Sequence, residues 1–247
     1  MELMSLRLGP EVCSYLPSQQ SIIEARIVLG MSGADYGAML ARGWRRFGCN
    51  FFRPRCEACQ ECRSIRVEVD AFRPSRSQRR ALRRNRDIRV EVGAPGLTAA
   101  KLDLYQRYHR DMAVRRGWPD RRLGAEEYWE SYVLGAEDFG REFQDWRGEE
   151  LVGVGLVDVL PEALSSVYFY HAPEWRALAP GHFSVLTELA YARQHGQRYL
   201  YLGYWIEANG SMSYKARFKP HQLLAESVES DQVPRWAPPA SGPRLEV

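Results

Sequence analysis

Two periods of hydrophobic and polar residues alternate along this 247-residue chain, and each predicts one kind of element. Period two predicts strands, whereas apolar residues recurring every three to four positions predict helices. The predicted elements are a helix from Ser32 to Phe47, a strand from Ile65 to Val69, helices from Thr98 to Arg116 and Ala125 to Leu134, a hairpin of Phe139 to Trp146 and Leu151 to Leu160, a strand from Ser165 to His171, a helix from Gly181 to His195 and a strand from Tyr199 to Trp205. This mixture predicts an α/β (α+β) fold.

The pattern also divides the chain into three parts. Residues 1–92 form an irregular, basic, Cys-rich module, and residues 93–230 contain most of the regular elements. In the second part, two helices, three strands, a helix and a strand follow one another, which is the order of acetyltransferase-like (GNAT-like) acyl-transfer folds. Residues 231–247 are rich in proline, and we expect this tail to be disordered.

Charge is distributed unevenly between these parts. The net charge is only +3, but the stretch from Arg42 to Arg89 holds fifteen arginines against five acidic residues. Apolar runs such as Leu151 to Val157 are far shorter than the ~20 residues of a membrane helix, and Met1 to Pro10 lacks the apolar core of a secretory signal. We therefore expect a cytoplasmic protein with no membrane partner and a locally basic surface.

Five arginines lie on one side of a predicted helix that begins after Ser75. They occupy positions i, i+3, i+4, i+7 and i+8, namely Arg76, Arg79, Arg80, Arg83 and Arg84. Ala81 and Leu82 are expected on the opposite side. Because like charges at this spacing repel, the row favours a polyanion such as RNA nearby, and the alternative is a solvated face.

A cluster of cysteines marks a candidate metal site. Cys56, Cys59 and Cys62 form a C-x-x-C-x-x-C pattern, Cys49 precedes it by seven residues, and Cys13 is distant. Thiolates at this spacing can bind zinc or an iron–sulfur cluster. The second knuckle of a typical structural zinc site is missing, so reduced, packed thiols remain the alternative.

Aromatic residues define a candidate cleft. Tyr168 and Tyr170 share one face of a predicted strand, and Tyr204 lies in the next strand along the chain. Such rings are either core residues or the lining of a site where phenols orient an ester and stack on a terminal adenine.

Three cations follow the aromatic strands. Lys215, Arg217 and Lys219 alternate in a predicted strand and are expected on one face, where they suit a carboxylate or a phosphate. Two of the three lysines in the chain lie here.

Together these segments resemble the bacterial aspartate/glutamate leucyltransferase family, which is related to eukaryotic arginyl-tRNA-protein transferases. The matching stretches are Cys13-Ser-Tyr-Leu-Pro17, Arg45-Arg-Phe-Gly48, Phe52-Arg-Pro-Arg-Cys-Glu-Ala-Cys-Gln-Glu-Cys62, Phe72-Arg-Pro-Ser-Arg-Ser-Gln-Arg-Arg80, Ser165-Ser-Val-Tyr-Phe-Tyr170, Tyr199-Leu-Tyr-Leu-Gly-Tyr-Trp-Ile206 and Tyr214-Lys-Ala-Arg-Phe-Lys-Pro220. They follow the family's order over most of residues 12–225.

The resemblance implies an enzyme that moves leucine, or arginine in the sister group, from aminoacyl-tRNA to proteins beginning with Asp or Glu. Arginyl relatives usually have a second Cys where this chain has Leu16, which favours the leucyl branch. The aminoacyl ester of such a substrate is already activated, so no strong general base or cofactor is required. What remains is to hold amine and carbonyl together, and no nucleophile is assigned.

We therefore hypothesise an enzyme that acts by positioning its substrates. In this hypothesis the arginine row binds tRNA phosphates, Tyr168, Tyr170 and Tyr204 line the cleft, and Lys215 or Arg217 pairs with the acceptor's carboxylate.

Two other classes of function compete with this interpretation. An acetyl-CoA-dependent N-acetyltransferase has the same element order, but the turn Arg176 to Gly181 contains one glycine instead of a glycine-rich phosphate loop. A non-catalytic RNA-binding or zinc-ribbon protein explains residues 1–92 and leaves the larger domain without a role.

Overall fold

The structure is a computed structural model that describes residues 1–119, 122–226, 228–229 and 231–239. The strands of this part are β1 (Glu2–Val12), β2 (Gln20–Val28), β3 (Arg45–Phe47), β4 (Asn50–Pro54), β5 (Arg63–Glu68), β6 (Ile88–Gly93), β7 (Gly140–Arg147), β8 (Glu150–Val159), β9 (Ala163–His171), β10 (Tyr199–Trp205), β11 (His221–Leu224) and β12 (Trp236–Ala237). The α-helices are α1 (Gly33–Ala41), α2 (Arg76–Arg84), α3 (Ala99–Arg116), α4 (Ala125–Tyr132) and α5 (Pro180–Gln194), and 3-10 helices span Pro173–Leu178 and Ser213–Arg217. None of these helices is long and apolar enough to cross a membrane.

The strands form two sheets. The smaller has the order β1-β2-β4-β3, and the larger has the order β12-β11-β5-β10-β9-β8-β7-β6. In the larger sheet β9 and β10 are parallel, while the other neighbouring pairs are antiparallel. From β6 to β10 the elements follow the acetyltransferase-like order, so the predicted fold class is confirmed.

Helices cover both faces of the larger sheet. Leu156 of β8 packs in the cluster that contains the α3 and α4 residues, whereas its neighbour Val157 packs with Leu186 and Leu189 of α5. Adjacent strand residues point to opposite faces, so the sheet lies between these two clusters. The nearly continuous apolar sequence of β8 is the expected consequence of burial on both sides.

The first predicted helix is shorter than expected. It ends at Ala41, and the residues to Phe47 form a turn and β3 instead. Gly43 has φ +89°, a left-handed conformation that costs a glycine little and ends the helical path. The apolar residue Trp44 continued the helical spacing and concealed this break.

The large sheet crosses the boundary expected at residue 92. β5 precedes that residue and β6 (Ile88–Gly93) spans it, yet both are strands of the sheet that carries β7 to β10. Within the tail, Trp236 and Leu224 pair in β12 and β11, and the Trp236 indole donates to the Ala41 carbonyl at 3.1 Å. Residues 231–239 of the tail are therefore packed in part, and residues 240–247 lie outside the described residues.

Candidate active site and nucleic-acid interface

The parallel strands β9 and β10 separate partway along their length. They pair at three positions, the last joining Tyr201 to Ser165, although β9 continues to His171 and β10 to Trp205. Beyond the last pair, no ladder pairing joins the two strands. This opening in the sheet is the candidate active-site cleft.

Tyr168 and Tyr170 lie on one face of β9, as predicted, but they differ in exposure. The Tyr170 hydroxyl shares a 2.6 Å hydrogen bond with that of Tyr128, and burial raises the pKa of both phenols. Tyr168 is half-buried, and its hydroxyl lies 2.8 Å from Nε2 of His109. Tyr170 is therefore a core residue, whereas Tyr168 and His109 form the polar part of an aromatic cluster.

Sequence reasoning missed His109. A single histidine within an amphipathic helix gives no functional signal, and only the fold brings α3 against β9. Its ring stacks on that of Tyr105 with centroids 4.1 Å apart.

Tyr204 does not join the other two candidate tyrosines. Its hydroxyl donates to the carbonyls of Gly43 at 2.8 Å and Phe52 at 3.3 Å, and burial raises its pKa. The phenol therefore connects β10 of the large sheet to the α1–β3 turn and to β4 of the small sheet.

Lys215 and Arg217 do not share a face, contrary to the sequence prediction. They lie in a 3-10 helix, where each residue advances about 120°, so residues two apart point in different directions. Lys215 is buried and its Nζ donates to the Tyr204 carbonyl at 2.7 Å, whereas Arg217 is exposed. Lys219 is also exposed, beyond the end of this helix.

The cation that accompanies Lys215 is Arg45 of β3. Its Nη2 donates to the Gly203 carbonyl at 3.1 Å and its Nη1 to the Ser165 hydroxyl at 3.5 Å, while its buried Nε has no hydrogen-bond partner. A Cβ atom on Gly203 would lie 3.4 Å from Lys215 Nζ and 4.0 Å from Arg45 Nε. Two buried cations thus converge on Gly203, where β9 and β10 have just separated.

Neither of these cations forms an ion pair with a carboxylate of the described residues, although the buried Asp158 is close enough to feel the charge of Arg45. Other buried cations do, since Arg46 pairs with Asp158 and Lys101 with Glu142. Burial, followed by the charge of Arg45, lowers the pKa of Lys215 to about 7. Such an arrangement is costly unless an anion completes it, so the pair is a candidate anion site. The motif Arg45-Arg-Phe-Gly48 was noted in the sequence, but the sequence did not separate the paired Arg46 from the unpaired Arg45.

A pair of buried carboxyl groups lies between α5 and the sheet near the cleft. Glu188 accepts hydrogen bonds from the hydroxyls of Ser166 at 3.3 Å and Ser184 at 3.1 Å. Burial raises the pKa of Glu188 to about 7, and burial followed by Glu188 raises that of Asp145 to about 8. A carboxyl group with a pKa near neutrality is able to accept a proton. No sequence motif pointed to either residue.

The α2 helix presents its five arginines to solvent. The Ser75 hydroxyl accepts from the Gln78 amide at 3.3 Å, and the Gln78 side chain accepts from the Ser75 amide at 2.8 Å, so a capping box starts the helix. Gln78 and Ala81 are the buried residues, while Leu82, expected inside, is 37% exposed. The row is thus an exposed cationic surface available to a polyanion.

The structure brings together only some of the candidate metal ligands. All five are free thiols, and within the described residues no group of three His, Cys, Asp or Glu could hold a metal ion. Cys49 packs against Gly135 instead of joining the C-x-x-C-x-x-C segment. Burial, then the neighbouring Cys13, Cys56 and Cys59, raises the pKa of Cys62 to about 12, so Cys62 lies close to the other three thiols. No chemical step is assigned to a metal here.

Comparison with known proteins gives consistent matches along the chain. Residues 11–80 match the family model described as "Arginine-tRNA-protein transferase, N terminus", and residues 100–225 match the one described as "Arginine-tRNA-protein transferase, C terminus". A protein of Helicobacter hepaticus named aspartate/glutamate leucyltransferase is 37% identical, with 96% of this chain and 98% of the relative covered. A Halorhodospira halophila protein of the same name is 37% identical over 89% of this chain and 93% of its own length.

Among solved structures, the resemblance is more distant. FemX is 13% identical with a TM-score of 0.45, covering 74% of this chain and 63% of its own. L-PGS from Bacillus licheniformis is 17% identical with a TM-score of 0.41, covering 73% and 52%. The family models and the full-length relatives show that this chain belongs to the arginine-tRNA-protein transferase family.

Proposed function

We propose that this protein transfers leucine from leucyl-tRNA to the N-terminal α-amine of proteins that begin with Asp or Glu. Its full-length relatives are named for that reaction, and Leu16 stands where arginyl relatives usually have a second Cys. Charged tRNA is a cytoplasmic substrate, so we place the activity in the cytoplasm.

The reaction depends more on positioning the amine and the aminoacyl ester than on activating either of them. The acceptor's amine attacks the ester carbonyl, a C–N bond forms, and the ester C–O bond breaks so that the tRNA 3′ oxygen leaves with a proton. An α-amine has a pKa near 8 and is partly neutral at physiological pH, so no strong base is needed. Holding amine and ester together supplies the main rate enhancement.

The buried pair of Arg45 and Lys215 is the observation that carries the acceptor preference. An Asp or Glu side chain entering the cleft would supply the anion that both cations lack. Its charge would also raise the pKa of Lys215 from about 7 and complete its protonation. Bidentate pairing with a guanidinium discriminates a carboxylate from an amide of the same shape, because the amide's NH₂ group would face a donor.

The remaining candidate residues act around this pair. The α2 arginines bind the tRNA backbone, and Tyr168 with His109 lines the cleft. Tyr170 and Tyr204 support that arrangement from the core. Glu188 is the group best suited to receive the proton released on attack.

A transfer assay tests the proposal directly. The protein is incubated with labelled leucyl-tRNA or arginyl-tRNA and with peptides that differ only in the first residue: Asp, Glu, Asn, Lys or Ala. We expect leucine on the Asp and Glu peptides alone. Asn is the matched control, since it keeps the shape of Asp without the charge. Transfer from arginyl-tRNA would reassign the donor, and equal labelling of the Asp and Asn peptides would refute the role of the cation pair.

A further inference from the structure

A cavity of about 180 Å³ lies between α2 and the first turn of α5. Two of the α2 arginines, Arg80 and Arg84, line it together with Arg217, while His182 and Ala179 come from the start of α5. The remaining arginines of the row, among them Arg83, are not part of its wall. All five arginines of the row are exposed, and two of them, Arg80 and Arg84, also border this cavity.

We propose that this cavity binds a phosphodiester group of the 3′-terminal CCA sequence of the donor tRNA. The inference rests on the proposed function, which supplies the tRNA, and it adds a defined site to a general basic surface.

The charge of the cavity suits a phosphate group. Three guanidinium groups from two segments line it, and none forms an ion pair with an acidic residue of the described chain. A phosphodiester offers two anionic oxygens that such groups bind bidentately. The first turn of α5 adds the partial positive charge of a helix N-terminus. Burial and Arg217 lower the pKa of His182, so its neutral ring supplies a hydrogen bond.

Buried amides hold the walls of the cavity in place. The Gln78 side chain donates to the Arg217 carbonyl at 3.3 Å, which fixes α2 to the Ser213–Arg217 helix. The Asn85 side chain donates to the Leu178 carbonyl at 2.8 Å and accepts from the Trp175 indole at 2.7 Å, which fixes α2 to the segment before α5. An arginine face that is only solvated would not need these side-chain hydrogen bonds, whereas a binding site gains affinity when its lining residues are held in place before the ligand binds.

The cavity lies close in the fold to Lys215, one of the two cations proposed to bind the acceptor's carboxylate. Arg217 and Lys215 belong to one short helix, and the Tyr214 ring of that helix contacts His182 with centroids 6.2 Å apart. Arg217 of this helix therefore lines the cavity, while Lys215 contacts the Tyr204 carbonyl at the cleft. A terminal phosphate held in the cavity would direct the aminoacyl ester that follows it toward the cleft.

Calorimetry with the unacylated trinucleotide CCA tests the site without requiring transfer. We expect Arg84→Gln and Arg217→Gln each to weaken binding about tenfold, the loss typical of one charge-assisted hydrogen bond. Arg86→Gln is the matched control, with the same change at an exposed arginine just beyond the end of α2 and outside the cavity, and should bind CCA within about twofold of wild type. Equal losses in all three variants, or no loss in any, would overturn the proposal.

Two further arms identify the ligand and separate this proposal from the proposed function. With leucylated CCA as donor, the cavity variants should raise KM about tenfold, whereas leucyl-adenosine, which lacks a phosphate, should show no difference between variants and wild type. Coenzyme A binding that exceeds CCA binding and disappears in Arg84→Gln would overturn the assignment to tRNA. Absence of leucyl transfer in the wild type would refute the proposed function, while the CCA titration would still decide the cavity.

Discussion

At the residue scale, the unusual feature of this protein is how its buried charges are matched. Arg46 and Lys101 each form an ion pair with a carboxylate, whereas Arg45 and Lys215 form none with the described acidic residues. Asp145 and Glu188 are a buried pair of carboxyl groups. Burying a charge without a counterion costs stability, so such a residue is expected to be kept for its function. The unmatched groups are consequently the ones whose replacement should change catalysis.

Replacing either unmatched cation should affect the acceptor and spare the donor. We expect Arg45→Gln and Lys215→Gln to raise KM for an Asp-starting peptide at least about tenfold, because each removes a charge-assisted hydrogen bond to the carboxylate. KM for leucyl-tRNA should stay within about twofold. Arg217→Gln, which changes a neighbouring cation of the same segment, should give the reverse pattern in steady-state kinetics. Donor and acceptor effects of equal size in all three variants would contradict this division.

The buried carboxyl pair should govern how stability depends on pH. An unfolded aspartate loses its proton near pH 4, but Asp145 keeps its proton until about pH 8 in the folded state. The folded state therefore binds more protons across this range, and its stability falls as pH rises, by up to about 1.4 kcal/mol per pH unit. Asp145→Asn has no proton to lose, so its stability relative to wild type should increase from pH 5 to 8.

Urea unfolding at several pH values measures this difference. The exposed Asp70 gives the control, because Asp70→Asn should follow the wild-type curve. Parallel curves for Asp145→Asn and wild type would mean that Asp145 is already ionised in the folded protein.

At the element scale, α2 combines a short buried side with a wide cationic one. Gln78 and Ala81 attach it to the protein, and all five arginines remain outside. Its stability thus depends on the capping box and the Gln78 contact to Arg217, and its exposed charge is left for a polyanion.

Removing arginines from this helix should weaken tRNA binding in a salt-dependent way. Each bound phosphate releases counterions, so Arg80→Ala with Arg83→Ala should reduce the slope of log affinity against log salt by about one for each phosphate that is no longer bound. Filter binding of tRNA between about 50 and 200 mM salt measures the slope. An exposed arginine outside the helix, Arg235→Ala, is the control, and identical slopes in the double variant and wild type would exclude the row from the interface.

The elements themselves were largely accessible from sequence, and their local geometry was less so. Ser75 and the arginine spacing predicted α2 correctly, because capping and periodicity are local properties. The Lys215 segment was wrong as a strand, since alternation over five residues cannot distinguish a strand from a 3-10 turn. Arg45 was missed because its role depends on Gly203 and Ser165, which are more than 100 residues away in sequence.

At the scale of the whole molecule, the two halves share one sheet. β5 pairs with β10 on one side and β11 on the other, so residues before position 92 complete the sheet of the larger domain. The matched segments at residues 11–80 and 100–225 are thus parts of one folded unit with interlocked strands.

A fragment without the first half should therefore fail to fold. Residues 93–247 lack β5, which leaves β10 and β11 without the strand between them and exposes apolar residues such as Leu200 and Leu223. We expect no cooperative thermal transition for this fragment by circular dichroism, in contrast to the full chain. Adding residues 1–92 as a separate polypeptide is the control, and restored cooperativity would show that the covalent link is dispensable. A fragment that melts cooperatively alone would contradict the shared sheet.

The position of β5 also has a consequence for synthesis on the ribosome. Its buried residues Ile65 and Val67 are made well before Leu200 of β10, the strand that pairs with β5 in the sheet. At a translation rate of about 5–20 residues per second, the gap of roughly 130 residues lasts on the order of ten seconds. During that interval the nascent chain presents an unpaired apolar strand, so newly made protein should depend on holding chaperones more than its finished stability would indicate.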